Sequence, residues 1–216
     1  PGALQRMVRF LDQHAGTGAV AARLLNSDGS LQYSLRTFPN ILTPFTENTN
    51  LSQVPGIRKF SRRSGLMDWN HDAVREVEQP AGAAFMIKRH VLETLGPLNS
   101  CYHMFFEDVD ICYRIRRNGW KIYYLPDAEI IHHGGQSVKK RSDMGIQFYK
   151  SLIRYFRLHQ GKPGEYTVRL SMIGLSVFCL AFATVELLRK PETGLLTGKS
   201  AINVMRAAFF TVEPES

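Results

Sequence analysis

Three carboxylates stand close together in the segment MFFEDVDICYRIRRNGW, residues 104–120. Glu107, Asp108 and Asp110 follow a run of aromatic residues and precede a cationic segment. A positioned carboxylate can remove a proton from a hydroxyl or bind a metal ion. It can also simply cap a helix, because acids in the first turn stabilise it by about 0.3–1 kcal/mol each. Asp110 and Arg114 would form an i, i+4 ion pair, so capping alone could explain the cluster.

A second group of polar residues, His132-His133-Gly134-Gly135, lies at the end of a predicted strand. Ligand sites in α/β sheets lie at strand ends. An imidazole there can bind a metal ion, although the pair could equally be structural. A carboxylate base and an imidazole metal ligand at neighbouring edges of a sheet would form a group-transfer site.

Alternating helices and strands must position these groups. The predicted elements are a helix over 2–14, a strand–turn–strand over 19–38 around Asp28-Gly29, a strand running into a helix over 82–96, a helix over 107–118, a strand over 121–126 ended by Pro126, and a short strand over 129–135. Residues 39–68 look like a long surface loop, since they are rich in Pro, Asn and Ser. This alternation predicts an α/β fold.

The chain changes character after residue 140. Residues 144–159 predict a basic amphipathic helix, with Lys150, Arg154 and Arg157 opposite an aromatic face. Residues 170–185 are uncharged, which is shorter than the roughly 20 residues that span a bilayer, so a buried or interfacial helix is favoured. A second amphipathic segment covers 200–212.

The charge is concentrated in one region. The chain has a net charge of +8, and residues 139–169 hold eight lysines and arginines against two acids. An anionic membrane surface or a phosphorylated ligand suits such a strip. The strip lies beside apolar helices and is not interleaved with stacking aromatic residues, so no nucleic-acid partner is expected. Three cysteines without CxxC spacing predict neither a disulfide framework nor a zinc site, and favour a cytosolic setting.

The segment from 79 to 137 resembles family 2 glycosyltransferases with a GT-A fold, especially the bacterial rhamnosyltransferase-like branch. The matching motifs are the Gln-Pro-Ala-Gly-Ala turn, the Phe-Phe-Glu-Asp-x-Asp helix start, Arg114 one turn later, and the His-x-Gly-Gly-x-Ser loop at 132–137. The resemblance covers about residues 1–160.

The resemblance implies an α/β fold built from the acceptor-side half of a GT-A (Rossmann-like) domain. This partial domain would occupy 1–140, and basic amphipathic and apolar helices that can associate with a membrane would occupy 141–216. The nucleotide-binding half, with its Asp-x-Asp metal motif, would precede Pro1. Asp108-Val109-Asp110 also has the Asp-x-Asp pattern, but it lies at the start of a helix in the acceptor-side half.

The activity implied by the resemblance is inverting transfer of a hexose or deoxyhexose from a dTDP- or UDP-sugar. The acceptor would be a hydroxyl of a lipid-linked glycan or polysaccharide in cell-wall and cell-surface synthesis, at the inner face of the membrane. Asp108 would be the general base, and Glu107 and Asp110 would orient the helix start. His132 would complete the site of a divalent metal ion, Mg²⁺ or Mn²⁺.

The resemblance also implies a substrate-binding set, which consists of Gly82, Ala83, Arg114, Ser137 and Lys139. Packing explains the two small residues equally well, and Lys139 could face lipid headgroups instead of donor phosphates. The isolated chain is expected to be almost inactive. The alternative to an enzyme is a non-catalytic remnant that binds a membrane or a protein partner.

Overall fold

The computed structural model describes residues 2–46, 55–102, 104–134, 144–189 and 191–210. They form two compact units that interleave along the chain. The first unit comprises Pro1–Phe38, Arg62–Ser100 and Glu107–Lys139, and the second comprises Pro39–Ser61, Cys101–Phe106 and Lys140–Ser216.

Helices and strands alternate through the first unit. In chain order the elements of the described residues are α1 (Ala3–Gln13), β1 (Thr17–Leu25), β2 (Leu35–Arg36), α2 (Thr43–Thr46), α3 (Pro55–Ser64), β3 (Arg75–Glu76), β4 (Gln79–Pro80), a 3₁₀ turn (Gly82–Ala84), β5 (Phe85–Ile87), α4 (Arg89–Leu95), α5 (Glu107–Arg117), β6 (Lys121–Ile131), α6 (Met144–Arg189) and α7 (Pro191–Ala208). The predicted mixed α/β character is confirmed.

A four-stranded sheet in the order β3-β6-β1-β5 organises the first unit. Its two central strands, β1 and β6, are parallel, and the short edge strands are antiparallel to them. Successive side chains of β1 point to opposite faces of the sheet. Ala19 packs in the hydrophobic cluster that contains Ile111 of α5, and Val20 packs in the cluster that contains Met7 of α1. The sheet is therefore covered on both faces, and α5 is held against one of them.

The prediction that Pro126 ends a strand is wrong, because β6 continues to Ile131. The pairing with β1 steps from Leu125 directly to Glu129, which leaves three residues of β6 outside the regular register. Pro126 lies in this irregularity, where the missing N–H does not interrupt a ladder of hydrogen bonds.

Two other sequence predictions need correction. The turn at Asp28-Gly29 forms, with Gly29 at a φ of 84°, but β2 pairs with β4 rather than with β1. The segment 39–68 is not simply a loop, since it contains α2 and α3. The helix over 2–14, the strand and helix over 82–96 and the helix over 107–118 are confirmed.

The second unit is dominated by a long helix with a kink near its middle. α6 is interrupted at Gly161, which has a φ of 68°, and Pro163 follows. The first leg, residues 144–160, buries Leu152, Ile153 and Phe156 completely. The second leg, residues 162–189, is long and apolar enough to cross a membrane, although the core helix of a soluble protein can have the same composition.

The cations predicted to form an open basic face on the first leg of α6 contact protein groups instead. Arg154 donates to the carbonyl oxygen of Cys101, and Arg157 lies 3.1 Å from the Glu165 carboxylate. The Lys150 ammonium lies 4.3 Å from the centre of the Phe210 ring. These three side chains therefore do not form the outward cationic face that the helical pattern predicted.

Candidate active site

The first turn of α5 holds Asp108 beside the 3₁₀ turn that precedes β5. Its Oδ2 accepts a hydrogen bond of 2.9 Å from the Gly82 backbone N–H, and its Oδ1 accepts one of 2.8 Å from the Val109 N–H. Asp108 is half-buried, whereas Gly82 and Ala83 are exposed. The structure thus brings together three of the predicted site residues, with a half-buried carboxyl group beside an exposed turn.

Gly82 lies so close to Asp108 that a larger residue would disturb the carboxyl group. A Cβ at this position would lie 3.2 Å from the Asp108 Cβ and 3.7 Å from its Oδ2. Ordinary contacts of this kind are about 3.5–4.0 Å. Glycine is therefore required at position 82 because a side chain there would displace Asp108.

The surroundings of Asp108 make its carboxylate more basic than usual. Burial raises the pKa of Asp108, and the hydrogen bonds from Gly82 and Val109 and the charge of Arg36 on β2 lower it by less. The effect of burial on the pKa therefore outweighs that of the helix N-terminus, which favours the charged carboxylate. A carboxylate with a raised pKa is a stronger proton acceptor.

Glu107 is the residue before Asp108, and its pKa is also raised, chiefly by burial and further by the neighbouring Asp108 charge. Its Oε2 is buried and has no hydrogen-bond partner among the described residues. A buried carboxyl oxygen of this kind is costly to leave unpaired. Glu107 is therefore suited to bind a polar group or proton that the described residues do not supply.

Asp110 and Arg114 form a buried pair on the other side of the helix. Asp110 is 1% exposed, and its Oδ2 lies 2.8 Å from the Arg114 Nε. Arg114 also donates to the carbonyl oxygens of Leu95, at 2.7 Å, and Pro97, at 2.9 Å. The pair holds α5 against the end of α4, and several of the Arg114 N–H groups are already hydrogen-bonded within the protein.

His132 lies at the end of β6, in a polar pocket formed with the turn after β1. The pocket is lined by Asn26, Ser27, Asp28, Gln32, His132, His133 and Gly134. The His132 Nδ1 lies 2.7 Å from Oε1 of Gln32, and the Gln32 amide nitrogen donates to the Asn26 side-chain oxygen at 2.9 Å. This second contact orients the amide, so His132 donates from Nδ1 and keeps a lone pair on Nε2. Histidines that bind metal ions are oriented by a contact of this kind.

A family model described as "Glycosyltransferase like family 2" matches residues 1–151 of the chain. The chain belongs to glycosyltransferase family 2. The family predicted from the sequence motifs is confirmed.

Several curated family 2 relatives are similar at low identity. N-acetylglucosaminyl-diphospho-decaprenol L-rhamnosyltransferase of Mycobacterium tuberculosis is 24% identical over 80% of this chain and 57% of its own length. Low-salt glycan biosynthesis hexosyltransferase Agl10 of Haloferax volcanii is 26% identical over 85% of this chain and 54% of its own length. Rhamnosyltransferase WbbL of Escherichia coli K12 is 23% identical over 57% of this chain and 44% of its own length. The chain spans about half the length of these relatives.

Two residues of this candidate site were not identified from the sequence. Gln32 orients His132 across 100 positions of the chain, and Arg36 acts on Asp108 through its charge. Neither residue belongs to a recognisable motif. Two predicted substrate-binding residues, Ser137 and Lys139, lie outside the described residues.

Metal binding has limited support from the side chains themselves. Within the described ranges, no three His, Cys, Asp or Glu side chains are grouped so that they could hold a metal ion. His132 can still supply one imidazole nitrogen, because Gln32 holds its other nitrogen. The described residues therefore fit a single protein ligand and not a complete site.

Proposed function

We propose that the intact enzyme transfers a sugar from a nucleoside-diphosphate donor to a hydroxyl group, with Asp108 as the general base. The observation that carries this proposal is a half-buried carboxyl group with a raised pKa beside an exposed glycine turn. Family 2 membership and the glycosyltransferase relatives support the reaction class.

Asp108 takes the proton of the acceptor hydroxyl as its oxygen attacks the anomeric carbon of the donor sugar. A new C–O bond forms on one face, and the bond to the diphosphate breaks on the other, so the anomeric configuration inverts. The proton resides on Asp108 and the negative charge leaves with the diphosphate. A base placed in this way contributes about 10²–10⁴ in rate.

The neighbouring residues position this base. Gly82 fixes Oδ2 of Asp108 through its N–H and, with Ala83, leaves space for the acceptor sugar. Asp110 and Arg114 hold the start of α5 from behind, a positioning role rather than the substrate contact predicted for Arg114. Glu107, with its unpaired Oε2, accepts a hydrogen bond from a second acceptor hydroxyl.

His132 is the proposed protein ligand for a divalent metal ion, Mg²⁺ or Mn²⁺, bound through Nε2. Such an ion neutralises the charge of a leaving diphosphate when it is bound. The predicted contacts of Ser137 and Lys139 with the donor phosphates remain part of the proposal.

The names of the relatives guide the choice of substrates. One acts on a diphospho-decaprenol acceptor with rhamnose, and another is a glycan hexosyltransferase. By similarity, the donor is a dTDP- or UDP-linked hexose or deoxyhexose, and the acceptor is a lipid-linked glycan or polysaccharide at the anionic inner surface of the cell membrane. The division into a partial GT-A domain over 1–140 and a membrane-associated helical region over 141–216 belongs to the same proposal.

The test is a transfer assay with the intact enzyme, a set of dTDP- and UDP-sugars and a polyprenyl-diphosphate-linked sugar as acceptor. We expect a product whose anomeric configuration, read by NMR, is inverted relative to the donor. A product with retained configuration would exclude Asp108 as a base acting directly on the acceptor. Membrane binding without transfer from any donor would favour the non-catalytic alternative.

A further inference from the structure

One face of the second leg of α6 is exposed and carries no charge. Leu170 is 69% exposed, Val177 57% and Leu188 89%. Residues on this face recur at helical spacing: Tyr166, Leu170, Gly174, Val177, Phe178, Ala181, Val185 and Leu188. An amphipathic helix of a soluble protein normally turns its polar side outward. The second leg of α6 is instead apolar on its outward face along most of its length, as it is on its buried face.

This apolar face remains exposed after α6 has packed against α7. The opposite face of the second leg is buried, and includes Met172 and Cys179. At Gly194 of α7 the helices approach so closely that a Cβ would lie 2.7 Å from the Leu187 backbone nitrogen. Small residues that allow such close approach are typical of helix pairs in membranes. The outward face therefore needs a partner other than α7.

The charges of Arg169 and Glu165, at the open end of this helical hairpin, are paired within it. Arg169 lies 2.7 Å from Glu165 and donates to the carbonyl oxygen of Ala208, near the end of α7. These contacts tie the open end of the hairpin together. They also keep the Arg169 charge away from the apolar face.

The outward side of α7 combines apolar and cationic residues. Leu195 and Ile202 are exposed there, and Lys199 and Arg206 lie at the intervening helical positions and are also exposed. Lysine and arginine can place their methylene groups along an apolar surface while the charge reaches lipid headgroups. With Glu192 in the first turn, this side of α7 keeps a net positive charge, which an anionic bilayer would neutralise and the same face of a second copy would repel.

We propose that the hairpin formed by residues 162–208 docks on an anionic lipid bilayer, with the outward face of the second leg of α6 in the acyl boundary. The second leg is long enough to cross a bilayer, but its uncharged run 170–185 would extend only about 24 Å at 1.5 Å per residue, so a spanning orientation would place Arg169 or Glu186 in the roughly 30 Å hydrocarbon core. Lys199 also lies in the middle of α7. Both features favour a hairpin lying in the interface over a spanning one.

This inference rests on the membrane partner named in the proposed function and assigns membrane attachment to a different surface of the protein. The sequence pointed to the basic strip over 139–169. Of the five cations in the described part of that strip, Lys150, Arg154, Arg157 and Arg169 contact protein groups, and Lys162 is exposed. Membrane attachment would therefore depend on the apolar face first and on Lys199 and Arg206 second.

The test is flotation of the 216-residue chain with vesicles of phosphatidylcholine alone and of phosphatidylcholine with phosphatidylglycerol. We expect the double variant Leu170→Glu/Val177→Glu to reduce the partition coefficient about tenfold or more, because two charges would have to enter the acyl boundary. The matched control is Leu4→Glu on α1, whose leucine is 60% exposed. It should bind like the unaltered chain.

Two further variants test the contribution of the cationic side chains of α7. Lys199→Gln and Arg206→Gln should each weaken binding to the phosphatidylglycerol vesicles about fivefold and leave binding to phosphatidylcholine alone unchanged. Circular dichroism should show unchanged helix content in all variants, since the altered side chains are exposed.

Two results would overturn the docking proposal. One is equal flotation of the unaltered chain and the Leu170→Glu/Val177→Glu variant. The other is no vesicle binding together with a dimer, seen by light scattering, that the same variant disperses, because the face would then pair two copies. No sugar is present in this assay, so its failure would leave the proposed glycosyl transfer intact, and failed transfer would leave the docking result intact.

Discussion

Gly82→Ala tests whether the close approach of the glycine turn places the catalytic carboxyl group. The added Cβ would lie 3.2 Å from the Asp108 Cβ, so the carboxylate must retreat by a few tenths of an ångström. The 2.9 Å hydrogen bond from the residue 82 N–H to Oδ2 would lengthen or break. A misplacement of about 1 Å can cost 10²-fold in rate, so this shift should cost about four- to tenfold.

The same change should alter the titration of Asp108 in a definite direction. The hydrogen bond from Gly82 lowers the pKa of this carboxyl group, so its loss should raise the pKa further above the ordinary value. The ¹³C signal of the Asp108 carboxyl group reports this titration in the isolated chain. The transfer rate of the intact enzyme gives the second measurement.

Gly16→Ala is the matched control. A Cβ at Gly16 would meet no atom within 4 Å, and its φ is not in the left-handed range, so neither the titration nor the rate should change. The reasoning is refuted if Gly82→Ala leaves both the Asp108 titration and the transfer rate the same as in Gly16→Ala.

Three further predictions concern stability and tautomeric state. His71 is 1% exposed and burial lowers its pKa, so the free energy of unfolding should decrease as the pH falls below about 6.5. His71→Phe should reduce this dependence on pH in urea denaturation, and an unchanged dependence would contradict the prediction. Arg114→Ala removes the ion pair with the buried Asp110 carboxylate and should lower the free energy of unfolding by about 1.5–3 kcal/mol in urea denaturation; a loss below about 1 kcal/mol would show that the pair does not hold α5. Gln32→Leu removes the acceptor for the His132 Nδ1–H, so ¹⁵N NMR of the imidazole should show both neutral tautomers instead of one, and a single tautomer as before would exclude the orienting role.

The location of Asp108 could be predicted from the sequence because its motif is local. The aromatic run, the acids and Arg114 lie within one short segment, and a helix start is dictated by nearby residues. The residues that tune the site lie elsewhere. Gln32 and Arg36 reach it only through the sheet pairing of β1 with β6 and of β2 with β4, which no periodicity in the sequence encodes.

Two misjudged segments show how tertiary structure overrides local signals. Pro126 is a strong local signal for the end of a strand, but an irregular register in the parallel pairing accommodates it. The cations of the first leg of α6 suggested a face toward lipid. Carbonyl, carboxylate and ring partners from distant segments hold Arg154, Arg157 and Lys150 instead.

The most direct test of the central claim is the transfer rate of the intact enzyme carrying Asp108→Asn, compared with Asp127→Asn, which alters an exposed carboxylate on β6. Asparagine cannot take the acceptor proton, so kcat should fall by about 10²–10⁴ while the control keeps its rate. Because burial raises the pKa of Asp108, its charge destabilises the fold as the pH rises toward neutrality. The melting temperature of the Asp108→Asn chain should therefore stay close to that of the unaltered chain, because removal of this charge offsets the loss of one of the two backbone hydrogen bonds, which the asparagine NH2 group cannot accept. Full transfer activity in Asp108→Asn would contradict the assignment of Asp108 as the general base.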